Sequence, residues 1–238
     1  GAPAPSTDDL ALSGSTAGGA VTVTLDNQTS GAGITLDKVE FNSFSTLTLS
    51  SQGGGLNTID DLTSSRDSTV VVSGDQALLI DDILGSITTV SAASFDQALT
   101  ITTVTASGGL TFNGGSAIDD VTGSTGNDSL TGNDGADTLL GGAGDDILDG
   151  GADADTLTGG EGADTLTGGA GADDFVFASG DTANPNAGNF DVIKDITIGA
   201  GADADKVTIT SHALSANANT NGVYIFANNP ANLTLAID

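Results

Sequence analysis

The sequence predicts an all-β chain wound as a parallel solenoid: a β-helix, or β-solenoid, that leads into a parallel β-roll and ends in a C-terminal β cap. Three observations predict this. Nine-residue units run in phase from Gly114, and a looser repeat with a 21-residue step precedes them. The large side chains are few, with eight Phe, one Tyr and no Trp in 238 residues, while Val, Ile, Leu and Ala are spaced regularly. Such a composition suits a thin, stacked core better than a compact globular one. A hydrophobic content of 37% argues against disorder over most of the length.

In chain order, residues 1–20 are read as a linker or N-terminal edge. The start, Gly1-Ala2-Pro3-Ala4-Pro5, has neither Met nor a signal-peptide pattern and is read as the cut beginning of a longer parent. Residues 21–113 form the β-solenoid with repeats of about 21 residues. Here Asp75-Gln76-Ala77-Leu78 returns as Asp96-Gln97-Ala98-Leu99, and Thr58-Ile59-Asp60-Asp61-Leu62 returns as Leu79-Ile80-Asp81-Asp82-Ile83. Short β-type runs lie between them at Val21–Leu25, Leu47–Leu49, Val70–Val72, Ile87–Val90 and Leu110–Phe112. An antiparallel sandwich would tolerate the same strand lengths. Residues 114–177 form the roll, and residues 178–238 the cap or secretion-signal region. In that last part Asp191–Ile198 and Lys206–Thr210 read as two strands paired with each other, and Val223–Phe226 and Leu233–Ile237 as two more. A non-repeating element is needed there, because an open solenoid end exposes strand edges and core.

The chain carries 30 Asp and 2 Glu against Lys38, Arg66, Lys194 and Lys206, a net charge of −28. That balance repels nucleic-acid phosphates and anionic membrane surfaces and selects cations as partners. No apolar run approaches the roughly 20 residues of a membrane span. Cysteine is absent, so no thiolate metal site or disulfide exists.

The seven units begin at Gly114, Gly123, Gly132, Gly141, Gly150, Gly159 and Gly168, and their sixth residues are Asp119, Asp128, Asp137, Asp146, Asp155, Asp164 and Asp173. The fourth residue is glycine at Gly126, Gly135, Gly144, Gly162 and Gly171; Ala117 and Asp153 depart from this, as Ser124 and Asn133 do from glycine at the second position. A large apolar residue stands eighth in every unit. The window 114–177 holds 14 acids and no Lys or Arg. Glycines at positions one, two and four permit sharp turns that aim carbonyl oxygens inward, and position six adds a short carboxylate. One turn offers too few oxygens for calcium, which takes six to eight; two stacked turns suffice. If two units make a coil, turns 18 residues apart stack in two columns. About five complete Ca2+ sites follow, with further sites elsewhere left open, and Asp137, Asp146 and Asp155 would each bridge two ions.

The array resembles the RTX, or repeats-in-toxin, family. The resemblance implies a right-handed calcium-binding parallel β-roll, ligands from the position-six Asp and nearby turn carbonyls, and export by a type I secretion system. Asp191-Val-Ile-Lys-Asp195 and the following Gly-Ala-Asp-Ala-Asp205-Lys look like the segment that closes such domains. In architecture and composition the whole chain resembles the C-terminal part of a Gram-negative surface-layer protein. That likeness implies a secreted, cell-surface, non-enzymatic protein that folds on calcium and self-associates into a lattice, with room for a glycan or lipopolysaccharide partner. The alternative is the calcium-binding and secretion module of a large RTX adhesin or secreted enzyme. No convergent catalytic set is evident: the one histidine, His212, adjoins Ser211, and neighbouring residues rarely face one another.

Overall fold

The computed structural model describes residues 9–13, 18–27, 33–106, 108–177, 191–197 and 201–209. Several strands are long at the start. The strands there are β1 Asp9–Ala11, β2 Gly19–Asn27, β3 Thr35–Glu40, β4 Phe44–Gly53, β5 Asn57–Gly74, β6 Leu78–Ser91 and β7 Leu99–Val104. The roll adds β8 Thr111–Asn113, β9 Asp120–Thr122, β10 Ser129–Asp134, β11 Thr138–Ala143, β12 Ile147–Ala152, β13 Thr156–Glu161, β14 Thr165–Ala170 and β15 Asp174–Phe177. Two short strands follow, β16 Val192–Ile193 and β17 Lys206–Ile209. All seventeen belong to one sheet, and every pairing among the described residues is parallel. An antiparallel sandwich is therefore excluded.

Two unbroken ladders of inward side chains run through both segments. One passes Leu47, Val70, Val90, Phe112, Leu130, Leu148, Leu166 and Ile193. The other passes Ile59, Ile80, Ile101, Val121, Leu139, Leu157, Phe175 and Val207. All but Val207 are buried, and burying each such side chain stabilises by about 1.5–3 kcal/mol. The eighth residue of each nine-residue unit thus sits on the eighth residue two units earlier, as the periodicity predicts.

The coil shortens along the axis. Leu47 pairs with Val70, Ile59 with Ile80 and Leu130 with Leu148, steps of 23, 21 and 18 residues. The longer coils have a third inner side, the ladder Val39, Leu62, Ile83, Val104, which the 18-residue coils lack. Asp60-Asp61 and Asp81-Asp82 lie inside β5 and β6, where the strand bends round a corner between buried Ile59 and Leu62 and between buried Ile80 and Ile83. One buried polar residue, Asn57, is fully used: its Oδ1 accepts from the Ile34 N–H at 2.7 Å, and its Nδ2 donates to Ser51 Oγ at 2.9 Å and the Gln52 carbonyl at 3.2 Å.

The two strands after the repeats are correctly located but not paired with each other. β16 extends the first ladder by pairing with β14, and β17 extends the second by pairing with β15. A strand edge on each face of the last coil must be covered, and two separate strands cover two edges where one hairpin would cover one. The segments expected at 223–226 and 233–237, and Ser211-His212, lie outside the described residues.

Candidate metal centre

From β10 to β14 the strands begin at position seven of one unit and run through position three of the next, as in β11, Thr138–Ala143. Each corner is therefore only positions four to six, with position six at its end. This short corner drives the aspartate inward. All seven position-six aspartates are buried, at most 3% exposed. The sequence-predicted Asp119, Asp137, Asp155 and Asp173 form one column, and Asp128, Asp146 and Asp164 the other.

One carboxylate oxygen does the same thing in the five turns from Gly132 onward. There Oδ1 accepts the backbone N–H of the aspartate 18 residues earlier: Asp137 from Asp119 at 2.7 Å, Asp155 from Asp137 at 2.8 Å, Asp173 from Asp155 at 2.9 Å, and Asp146 from Asp128 at 2.8 Å. Asp164 accepts from Asp146 at 2.9 Å. The columns continue beyond the repeats. Asp191 accepts from the Asp164 N–H and Asp205 from the Asp173 N–H. Neither stands in the nine-residue phase, so spacing did not single them out as ligating positions. A local signal was present: each lies two residues before an inward apolar residue, Ile193 or Val207, as position six lies before position eight. Asp195 accepts from the N–H groups of Gly168 and Gly169, both at 2.9 Å.

The second oxygen is what makes this a candidate metal centre. Oδ2 of Asp137, Asp146, Asp155 and Asp173 is buried with no hydrogen-bond partner. A buried, unpaired carboxylate oxygen is costly, and a cation is the usual remedy. The position-one glycines stand against these atoms: a Cβ added at Gly132, Gly141, Gly150 or Gly168 would strike Oδ2 of its own unit's aspartate. Backbone oxygens converge on the same corners. A Cβ at Gly160, Gly162, Gly169 or Gly171 would collide with the carbonyl of Gly142, Gly144, Gly151 or Asp153 in the layer beneath. Among the described residues no three His, Cys, Asp or Glu side chains converge on one point. A metal here would draw on one or two carboxylates and several turn carbonyls, an all-oxygen set that fits calcium and no thiolate- or imidazole-seeking metal. The carboxylates of Asp137, Asp146, Asp155 and Asp173 and the position-two and position-four carbonyls would hold it.

Electrostatics agree. Burial pushes Asp137 and Asp155 up to about 7 and Asp146 to about 6, with the neighbouring aspartates of the same column adding to the rise. Asp119 and Asp173 are raised for the same first reason, burial. The ordinary value is 3.8. The metal-free folded chain therefore holds protons that the unfolded chain has lost, so its stability falls as pH rises from about 4 and the loss is complete above about 7. Chelator-treated protein is expected to gain β-structure in circular dichroism on going from pH 8 to pH 5, and calcium affinity to weaken over the same interval. An affinity that does not change between those pH values would contradict the assignment.

Asn133 and Asp153, which replace glycines, keep their turns. They adopt φ of 78° and 76°, the left-handed region that Asn and Asp enter most readily among non-glycine residues. Ser124, by contrast, turns its hydroxyl onto Asp128 Oδ1 at 2.7 Å, a contact spacing alone did not reveal.

Residues 113–148 and 149–182 match the family model of the RTX calcium-binding nonapeptide repeat (4 copies). No curated protein and no solved structure matches the chain.

Proposed function

We propose that this protein, whose residues 113–182 match RTX repeats and whose strands β10–β15 stack as a parallel roll, is a calcium-dependent extracellular structural protein of the surface-layer type. RTX repeats imply calcium binding and a protein secreted by a type I system. The observation that carries the proposal is the pair of buried aspartate columns, in which Oδ2 of Asp137, Asp146, Asp155 and Asp173 is bare, in a stretch that contains no Lys or Arg. Such a site does not exist in the unfolded chain, because its oxygens come from layers 18 residues apart; binding energy is then folding energy. In a calcium-poor cytosol the acidic chain stays extended for export, and outside the cell it folds.

The role is non-enzymatic. A rigid rod with exposed acidic residues offers further calcium bridges between copies, which would join subunits into a lattice on a cell surface bearing glycan or lipopolysaccharide. Among the described residues no helix is long and apolar enough to cross a membrane. Calcium titration followed by light scattering and electron microscopy tests the proposal. Ordered two-dimensional sheets are expected. Folded, persistently monomeric protein would overturn the lattice and favour the calcium-binding and secretion module of a large RTX adhesin or secreted enzyme.

A further inference from the structure

The seven turns are of two kinds. In the five from 132 onward, position two has φ between 78° and 115°: Asn133 at 78°, Gly142 at 115°, Gly151 at 111°, Gly160 at 107° and Gly169 at 100°. Position four is left-handed in the same five turns, from Gly135 to Gly171. In the first two turns neither position is: Gly115, Ala117, Ser124 and Gly126 are all absent from the left-handed region.

That difference decides what Oδ2 meets. In turn 114–119 the Gly115 N–H donates to Asp119 Oδ2 at 3.1 Å, while Oδ1 accepts from the Leu99 N–H at 2.9 Å. In turn 123–128 the Ser124 N–H donates to Asp128 Oδ2 at 2.6 Å, and Oδ1 accepts from the Leu110 N–H and the Ser124 hydroxyl. Both oxygens of both carboxylates are thus satisfied by the protein. In the later turns, where position two is left-handed, no N–H reaches Oδ2 of Asp137, Asp146, Asp155 and Asp173, which is left bare. The C-terminal end closes as the N-terminal one does: Asp205 Oδ1 accepts from Asp173, and its Oδ2 from the Thr197 N–H at 2.6 Å.

We infer that the turns 114–119 and 123–128 are metal-independent latches: hydrogen bonds close them, they join the β-helix to the roll without calcium, and ion binding begins with the turn at Gly132. This rests on the calcium reading of the later turns and narrows it, since Asp119 and Asp128 become structural carboxylates and no longer ligands. It also gives the chain a calcium-free platform, residues 33–131, on which the roll is templated coil by coil as ions arrive. Templating of this kind is the expected behaviour of a stack whose layers contact only their neighbours.

Two measurements on the full chain test the inference. Bound calcium is counted by titration calorimetry for the wild type, Asp128→Asn and Asp146→Asn. Asp128→Asn is expected to keep the wild-type count and Asp146→Asn to lower it; equal losses in the two variants overturn the latch. Should Asp128→Asn fail to fold, hydrogen exchange on the wild type in chelator decides: amides of Leu99, Leu110, Gly115 and Ser124 are expected to stay protected at least about ten times longer than those of Asp137, Asp146 and Asp155. Uniform exchange across both sets overturns it equally. A wild type that binds no calcium at all sinks the calcium reading itself, an outcome distinct from either.

Discussion

Chelation of calcium at pH 8 is expected to abolish the β-structure of residues 132–177, seen as loss of most of the roll's far-ultraviolet circular dichroism signal and its recovery on calcium addition. The reason is the balance of charge in a narrow space. Four buried Oδ2 atoms, those of Asp137, Asp146, Asp155 and Asp173, have no protein partner, and other aspartates of the same column and Asp153 add like charge around Asp137 and Asp155. Each independent ion held at 100 times its dissociation constant adds about 2.7 kcal/mol. Whole domains are stable by only about 5–15 kcal/mol, so losing a few ions removes a large share of the total. The apolar ladder cannot compensate, because each nine-residue unit contributes one large inward side chain, such as Leu148 or Leu157. A spectrum unchanged by chelator would refute the coupling.

Replacing Gly162 with valine is expected to be nearly as damaging, even with calcium present. Gly162 has φ of +145°, a region closed to β-branched residues. A Cβ there would also run into the carbonyl of Gly144 in the layer beneath, which neither side can yield without breaking the stack. Strain of this kind costs about 1–3 kcal/mol by itself, and the backbone collision adds to it. The expected readout is a clear rise in the calcium concentration needed for half-maximal folding, or no folding at all. Gly108→Ala is the control: nothing lies within 4 Å of a Cβ at that position, and its folding midpoint should stay close to the wild type. Equal behaviour of the two variants would show that the corners are looser than the stack implies.

The solenoid and its two columns were legible because a nine-residue phase leaves little freedom. With an apolar residue eighth in every nine-residue unit and a two-unit coil, Leu130 can lie only over Leu148, and Asp137 only over Asp155. The 21-residue step was likewise visible in Ile59, Ile80 and Ile101. The corners at Asp60-Asp61 and Asp81-Asp82 were not, since acidic pairs between apolar runs suit an open turn and a bent strand alike. Nor was the separate docking of β16 and β17, because two short apolar strands pair with each other or with a neighbouring coil equally well until the coil's free edges are known.

By itself, then, the sequence determined the parallel stack, the 18-residue register and which aspartates face inward, since these follow from periodicity and hydrophobic burial. Only the tertiary structure decided how those aspartates are satisfied. Gly114-Gly115 and Gly141-Gly142 read alike, yet Gly142 is left-handed and Gly115 is not. The physical cause is the layer below. Turn 141–146 rests on another nine-residue turn, whereas turn 114–119 rests on a longer coil, with Ser116 N–H held by the Phe95 carbonyl and Asp119 by the Leu99 N–H. Where the coil length changes, the floor beneath a turn changes, and with it the atom that meets the carboxylate.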